Sequence, residues 1–111
     1  DIMSDLTASK IFSDDLPNRL ASNPSSTAAN AVYQFNIDGA NGGTWTVDLT
    51  KESDFVSEGE ATNAECTITM KESDFVDMWS GKLKGAQAFM MGKLKIQGNM
   101  GLAMKLQSFL G

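Results

Sequence analysis

Histidine is missing from this sequence, and cysteine occurs once, as Cys66. Without histidine there is no usual general base near neutral pH and no imidazole metal ligand. A Ser–His–Asp triad, a Cys–His nucleophile pair and a His-containing zinc site are therefore excluded within these residues. A lone thiol cannot form an intramolecular disulfide, so nothing points to an oxidising compartment. Apolar runs are short, and none approaches the ~18 residues a membrane span needs. Basic residues are the minority, with 9 Lys+Arg against 14 Asp+Glu and a net charge of −5. That balance argues against nucleic acid, whose phosphate backbone requires a basic face. It also argues against strong electrostatic docking to anionic membranes. The opening DIMSDLTASK lacks the basic start and apolar stretch of a signal peptide, and its beginning on Asp1 suggests a trimmed start.

What is present describes an ordinary globular protein. At 111 residues, 41% apolar and 21% charged, residues 1–111 are expected to form one domain around one core. Methionine is the unusual component: there are 7, and all but Met3 lie from Met70 onward. Its flexible, polarizable side chain fills irregular space and suits adaptable apolar surfaces. The clustering points to an adaptable pocket in the C-terminal half, although gap-filling in a core would use the same residues.

Periodicity places the elements. Ala8, Ile11, Phe12, Leu16 and Leu20 recur at helical spacing over 6–21, with Thr7 or Asp5 as cap and Pro17 as a bend. Residues 31–38 alternate, with Ala31, Tyr33, Phe35 and Ile37 on one face. Gly39 to Gly43 reads as a turn into a second strand over 44–50, with Trp45, Val47 and Leu49 inward, so the two form a β-hairpin. Residues 65–71 alternate as a third strand, in which Cys66 packs as a small hydrophobe. The hexapeptide KESDFV occurs at 51–56 and again at 71–76. Two short copies cannot build a solenoid, so chance similarity is the reading. The first copy leads into a turn-rich stretch around a short strand. The second is expected to start a helix with Ser73 as N-cap and Phe75, Val76 and Trp79 on one face. A linker over 81–85, a short helix over 86–91 and a strand over 93–97 follow. That last strand is expected to join the sheet in parallel after a helical crossover.

The chain closes on a helix with an unusually broad apolar face. Met100, Leu102, Ala103, Met104, Leu106, Phe109 and Leu110 spread over roughly 220° of its circumference, where a helix that merely covers a sheet needs a stripe of about 100°. One side can pack on a sheet while Met100, Met104 and Gln107 face something else. Burial on two sides within the domain, a subunit interface and one wall of an apolar cavity all satisfy that pattern. Grouped strands with helices before and after them make the class α+β, with helices on one face of a mostly antiparallel sheet.

The stretch FMMGKLKIQGNMGLAMKLQSFL resembles the C-terminal signature of the sterol-carrier-protein type 2 domain family. AVYQFNI (31–37), GGTWTVDL (42–49) and CTITMKESDFVDMWSGKL (66–83) agree with it in order and spacing. The resemblance implies a five-stranded, mostly antiparallel sheet covered on one face by helices and enclosing an apolar lipid tunnel. It also implies binding and transfer of sterols, fatty acids, fatty acyl-CoA and phospholipids, with no catalytic residues and no cofactor. The alternative is an accessory domain that presents a hydrophobic substrate to a partner enzyme. Some members of the family are fused to peroxisomal enzymes and end in an import tripeptide; this sequence ends Phe109-Leu110-Gly111, so an intracellular, cytoplasmic setting is expected ahead of a peroxisomal one.

The lining expected on that reading is Trp45 from the hairpin, Phe75, Met78 and Trp79 from the first short helix, and Phe89 and Met90 from the second. Met100, Ala103, Met104 and Gln107 from the last helix complete it. Each apolar member would serve plain core packing equally well. A buried Gln107 amide needs a partner, either a ligand head group or a backbone carbonyl. Lys82, Lys84, Lys93 and Lys95 stand near the expected mouth, where a CoA phosphate could meet them, or they form a solvated face. A monomer with a lipid ligand and transient membrane contact is the expected state.

Overall fold

The computed structural model describes residues 6–23 and 27–105. Its elements are α1 (Ala8–Lys10), a π-helical turn (Ile11–Asp15), α2 (Leu16–Ser22), β1 (Val32–Asp38), β2 (Gly43–Asp48), β3 (Val56–Glu58) and β4 (Cys66–Lys71), then α3 (Glu72–Trp79), α4 (Gly85–Met90), β5 (Leu94–Gly98) and α5 (Met100–Met104). The five strands form one sheet in the order β3-β2-β1-β4-β5. β1 and β4 run parallel, and the other pairings are antiparallel. This is the expected α+β fold, a five-stranded sheet with helices on one face.

The first helix is continuous but not uniform. The Thr7 side chain caps it by accepting from the Lys10 N–H, as its sequence position suggests. The turn then widens, and the Leu16 N–H donates to the Ile11 carbonyl five residues back. The next residue is Pro17, at the start of α2. Proline has no N–H, and in a regular α-turn its ring presses on the carbonyl four residues earlier; the wider turn relieves that contact. Ala8, Ile11, Phe12, Leu16 and Leu20 all face inward and are buried.

Alternation decides the sheet. Tyr33, Phe35 and Ile37 of β1, Trp45 and Val47 of β2, and Cys66, Ile68 and Met70 of β4 are buried under the helices. Gln34, Asn36, Thr46, Thr67 and Thr69 occupy the other face and are half-buried. An antiparallel sheet with one solvated face carries such a pattern. The β1–β2 turn closes with Gly42 N–H to Gly39 C=O at 3.1 Å. A Cβ on Gly42 would sit 2.1 Å from the Ile37 carbonyl oxygen, so this close approach requires glycine.

Two expectations are corrected. β5 is antiparallel to β4, with Met70 opposite Leu94, rather than parallel to an earlier strand. A parallel partner would require the connection to cross the full sheet, whereas α3 and α4 go out and back and return the chain to the end it left. The parallel pair is instead β1–β4, joined through the hairpin and the 59–65 segment. Second, Ser73 does not cap α3. β4 continues to Lys71, α3 begins at Glu72, and its N-cap position makes no side-chain bond. The Glu72 carboxylate reaches across the fold and accepts the Ala8 N–H at 3.0 Å, capping α1 instead. A negative charge at a helix N-terminus is favourable there.

Candidate functional site

The space between sheet and helices divides into two regions. Near the hairpin it is filled by aromatic rings. Phe12 lies between Trp45 (ring centroids 4.5 Å apart, planes 9° apart) and Phe75 (4.9 Å, 7°), and its ring also meets Phe35 at 5.4 Å. Such stacked pairs add about 0.5–1.5 kcal/mol each beyond their burial. Helical spacing marked Phe12 only as one apolar residue among five. Its central place follows from the meeting of helix, hairpin and α3, which no local pattern encodes.

Toward β4 and β5 the character changes to aliphatic and thioether. Met78, Leu83, Ala88, Leu94, Leu102 and Ala103 are buried there as part of the same core. Met78 turns its sulfur toward the start of α4, 3.9 Å from where a Cβ on Gly85 would stand. α4 packs on β5, and α5 packs on β4 and β5. α5 is capped by the Asn99 side chain, which accepts the Leu102 N–H at 3.2 Å. The Tyr33 hydroxyl, buried beneath it, donates to the Leu102 carbonyl at 2.6 Å. Gly98 makes the sharp turn into α5 with φ +100°, where a Cβ would meet the Glu65 carbonyl oxygen at 2.5 Å.

Nine of the ten expected lining residues lie among the described ones, and they fall into three groups. Trp45 and Phe75 are brought together around Phe12, and Met78 and Ala103 are buried in the aliphatic region. Trp79 is half-buried, with the Arg19 guanidinium 3.7 Å over its ring. Phe89, Met90, Met100 and Met104 point to solvent. α5 therefore turns Leu102 and Ala103 to the sheet and offers Met100 and Met104 elsewhere, as its broad apolar face suggested. Gln107 lies outside the described residues. Of the four lysines, Lys93 pairs with Asp74 on α3 at 3.8 Å, and Lys82, Lys84 and Lys95 are exposed.

A concavity unmarked by any motif opens between α2 and the first KESDFV copy. It has a volume of about 580 Å³ and is lined by Pro17, Leu20, Thr27, Glu52, Asp54 and Phe55 among others. Its mixed polar lining contrasts with the aliphatic region under α5.

The chemistry available is restrained. Burial, with smaller contributions from nearby Cys66 and Glu65, pushes the Tyr33 phenol up to about 12. Burial likewise pushes the Cys66 thiol up to about 11, so it is inert as a nucleophile at neutral pH. Among the described residues no group of three or more His, Cys, Asp or Glu side chains could hold a metal ion. Among them also, no helix is long and apolar enough to cross a membrane.

Comparison with known proteins agrees with this architecture. The model of the SCP-2 sterol transfer family matches residues 14–111. The sterol carrier protein domain 2 of Helicoverpa armigera superposes with a TM-score of 0.75 at 32% identity, over 91% of this chain and 85% of that one. The palmitated SCP2L2 of Aedes aegypti gives a TM-score of 0.78 over 95% of both chains; at 23% identity it speaks to the fold alone. Hydroxysteroid dehydrogenase-like protein 2 of Bos taurus is 49% identical over 84 residues, 75% of this chain. That match covers 20% of the bovine protein, so the chain spans about a fifth of the curated relatives it matches.

Proposed function

This chain belongs to the SCP-2 sterol transfer family, and from that premise we propose that residues 1–111 act as one non-catalytic lipid-binding and lipid-transfer domain. The observation that carries the reading is the aliphatic region between β4–β5 and helices α3, α4 and α5, where Met78, Leu83, Ala88, Leu94, Leu102 and Ala103 are buried and Met100 and Met104 stand exposed beside them. A hydrocarbon chain entering there meets Met78 and Ala103 inside and Met100, Met104 and Phe89 at the mouth. Each methylene it buries is worth about 0.8 kcal/mol. Because that attraction is non-directional, the ligand range is broad: fatty acids, acyl-CoA, sterols and phospholipids. On this reading the stacked rings of Trp45, Phe12 and Phe75, 4.5 and 4.9 Å apart, limit how far the hydrocarbon chain reaches toward the hairpin. The working form is a monomer in an intracellular, cytoplasmic setting, consistent with Cys66 being a buried free thiol. It makes transient contact with membranes to load and unload.

Titration with a fluorescent fatty acid in vesicle-free buffer tests this. Saturable binding at micromolar or tighter affinity is expected, and Met78→Trp, which fills the inner end, should weaken it while leaving the fold intact by circular dichroism. Absence of saturable binding in the wild type contradicts the proposal. Binding that Met78→Trp leaves unchanged would remove Met78 from the lining.

A second reading is favoured by the 49% identity to part of a hydroxysteroid dehydrogenase-like protein. On it, the domain presents a hydrophobic substrate to a partner enzyme. A co-purifying dehydrogenase, whose turnover of a sparingly soluble substrate rises when this domain is added, distinguishes it from a free carrier.

A further inference from the structure

The charge on this chain is segregated along its length. Residues 78–111 hold Lys82, Lys84, Lys93, Lys95 and Lys105 and no Asp or Glu. That segment is +5 and the remainder −10, which together give the net −5. The segment contains α4, the edge strand β5 and α5. Large apolar side chains are exposed in the same segment: Phe89 at 45%, Met90 at 85%, Met91 at 61%, Met100 at 47% and Met104 at 79%. α4 packs against β5 and α5 against β4 and β5, so these residues belong to the β4–β5 side of the molecule. The nearest acids in sequence are on α3, where Asp77 is half-buried and Asp74 is paired with Lys93.

The opposite edge is acidic. Asp48, Glu52, Asp54, Glu58 and Glu60 surround β3 and the segment leading to it, with Lys51 the one base among them. With neighbouring strands ~4.8 Å apart, the two edges of a five-stranded sheet are separated by about 19 Å. The Debye length at physiological ionic strength is about 8 Å. A negatively charged surface touching the β5 edge therefore feels the lysines and is screened from the acidic edge. The net charge, which by itself argues against anionic membranes, is not the charge such a surface meets.

We infer that the α4–β5–α5 edge is a membrane-docking face for anionic phospholipid bilayers. Phe89, Met90, Met91, Met100 and Met104 enter the interfacial region, and Lys82, Lys84 and Lys95 meet the lipid phosphates. A sheet dipole from the acidic β3 edge to the basic β5 edge orients the molecule on approach. This rests on the carrier reading for its purpose, since it sets the apolar mouth against the lipid source, but the docking itself can be measured separately.

Co-sedimentation with phosphatidylcholine vesicles, with and without phosphatidylserine, tests it. Phosphatidylserine should raise the bound fraction, and added salt should lower it. At the cost associated with each lysine near such a surface, Lys82→Gln with Lys84→Gln should weaken partitioning roughly 30-fold. Met90→Gln with Met91→Gln should also reduce binding, and Lys51→Gln at the far edge should leave it unchanged. These side chains are exposed, so the fold should persist, as melting curves will report. Three results would overturn the inference: equal partitioning onto both vesicle types, wild-type binding by the Lys82/Lys84 variant, or a dimer by light scattering that Met90→Gln with Met91→Gln dissolves. Fatty-acid titration of the Lys82/Lys84 variant without vesicles reads the cavity alone. If the wild type binds vesicles but no fatty acid, the carrier reading falls and the docking face stands.

Discussion

Replacing Tyr33 by phenylalanine removes one atom and tests how α5 is held. The phenol is fully buried, and its hydroxyl donates to the Leu102 carbonyl at 2.6 Å. That carbonyl also accepts the Lys105 N–H at 3.1 Å, so Tyr33→Phe leaves it with a partner and escapes the full cost of an orphaned acceptor. The loss should be about 1–2 kcal/mol. It should also be local. An isolated five-residue helix is not stable in water, so α5 depends on its Asn99 cap, on burial of Leu102 and Ala103, and on this bond. Weakening by that amount makes opening of 99–105 roughly 5–30 times more frequent. Native-state hydrogen exchange should show that acceleration at the Ala103 and Lys105 amides, with β1 and β2 amides exchanging at wild-type rates wherever they open independently. Urea denaturation should give a lower midpoint with an unchanged slope. An unchanged midpoint with unchanged exchange at 103 and 105 would refute the claim that Tyr33 holds α5 on the sheet.

Four further outcomes rest on the packing and the buried groups. Tyr33 is the one tyrosine in the chain, so the ultraviolet titration of its phenolate should show a native midpoint near 12. Because the folded Tyr33 and Cys66 values are raised above their ordinary ones, their contribution is complete below pH ~9 and is lost as pH rises through 9–12; chemical denaturation across that range should show falling stability, less steeply in Tyr33→Phe. Phe12→Ala removes the middle ring of the stack and should cost about 3–5 kcal/mol in urea unfolding. Glu72→Ala should cost about 1–2 kcal/mol through loss of the α1 cap, while Glu52→Ala, the same residue of the other KESDFV copy, should stay within about 0.5 kcal/mol.

The two KESDFV copies mark where sequence reading stops. The strands were legible because a half-buried sheet forces strict alternation, as in Tyr33, Phe35 and Ile37 or Cys66, Ile68 and Met70. In 51–56 the hexapeptide is a loop entering an edge strand, with Asp54 at φ +53°; in 71–76 it is the end of a central strand and the start of a helix. Local preference is the same for both, so their tertiary partners decide. The misplaced cap at Ser73 and the direction of β5 have the same origin, since a cap 64 residues away and the route of a crossover leave no local signal. For the expected lining residues, the sequence carried their apolar character and not their placement. Methionine clustering and the broad apolar face of 100–110 pointed to the C-terminal region, of which the structure describes residues up to 105. That Trp45 and Phe75 clasp Phe12, or that Arg19 covers Trp79, required the fold. The charge segregation was readable by count, yet it acquires meaning only when β3 and β5 are known to be opposite edges.

The central claim is that a hydrocarbon chain occupies the apolar space under α3, α4 and α5. Native mass spectrometry of freshly purified protein tests it most directly. A fraction of the molecules should carry an additional mass that solvent extraction identifies as a fatty acid, acyl-CoA, sterol or phospholipid, and that fraction should rise when fatty acid is added. The bare polypeptide mass alone, before and after incubation with an excess of each of these lipids, would contradict the account.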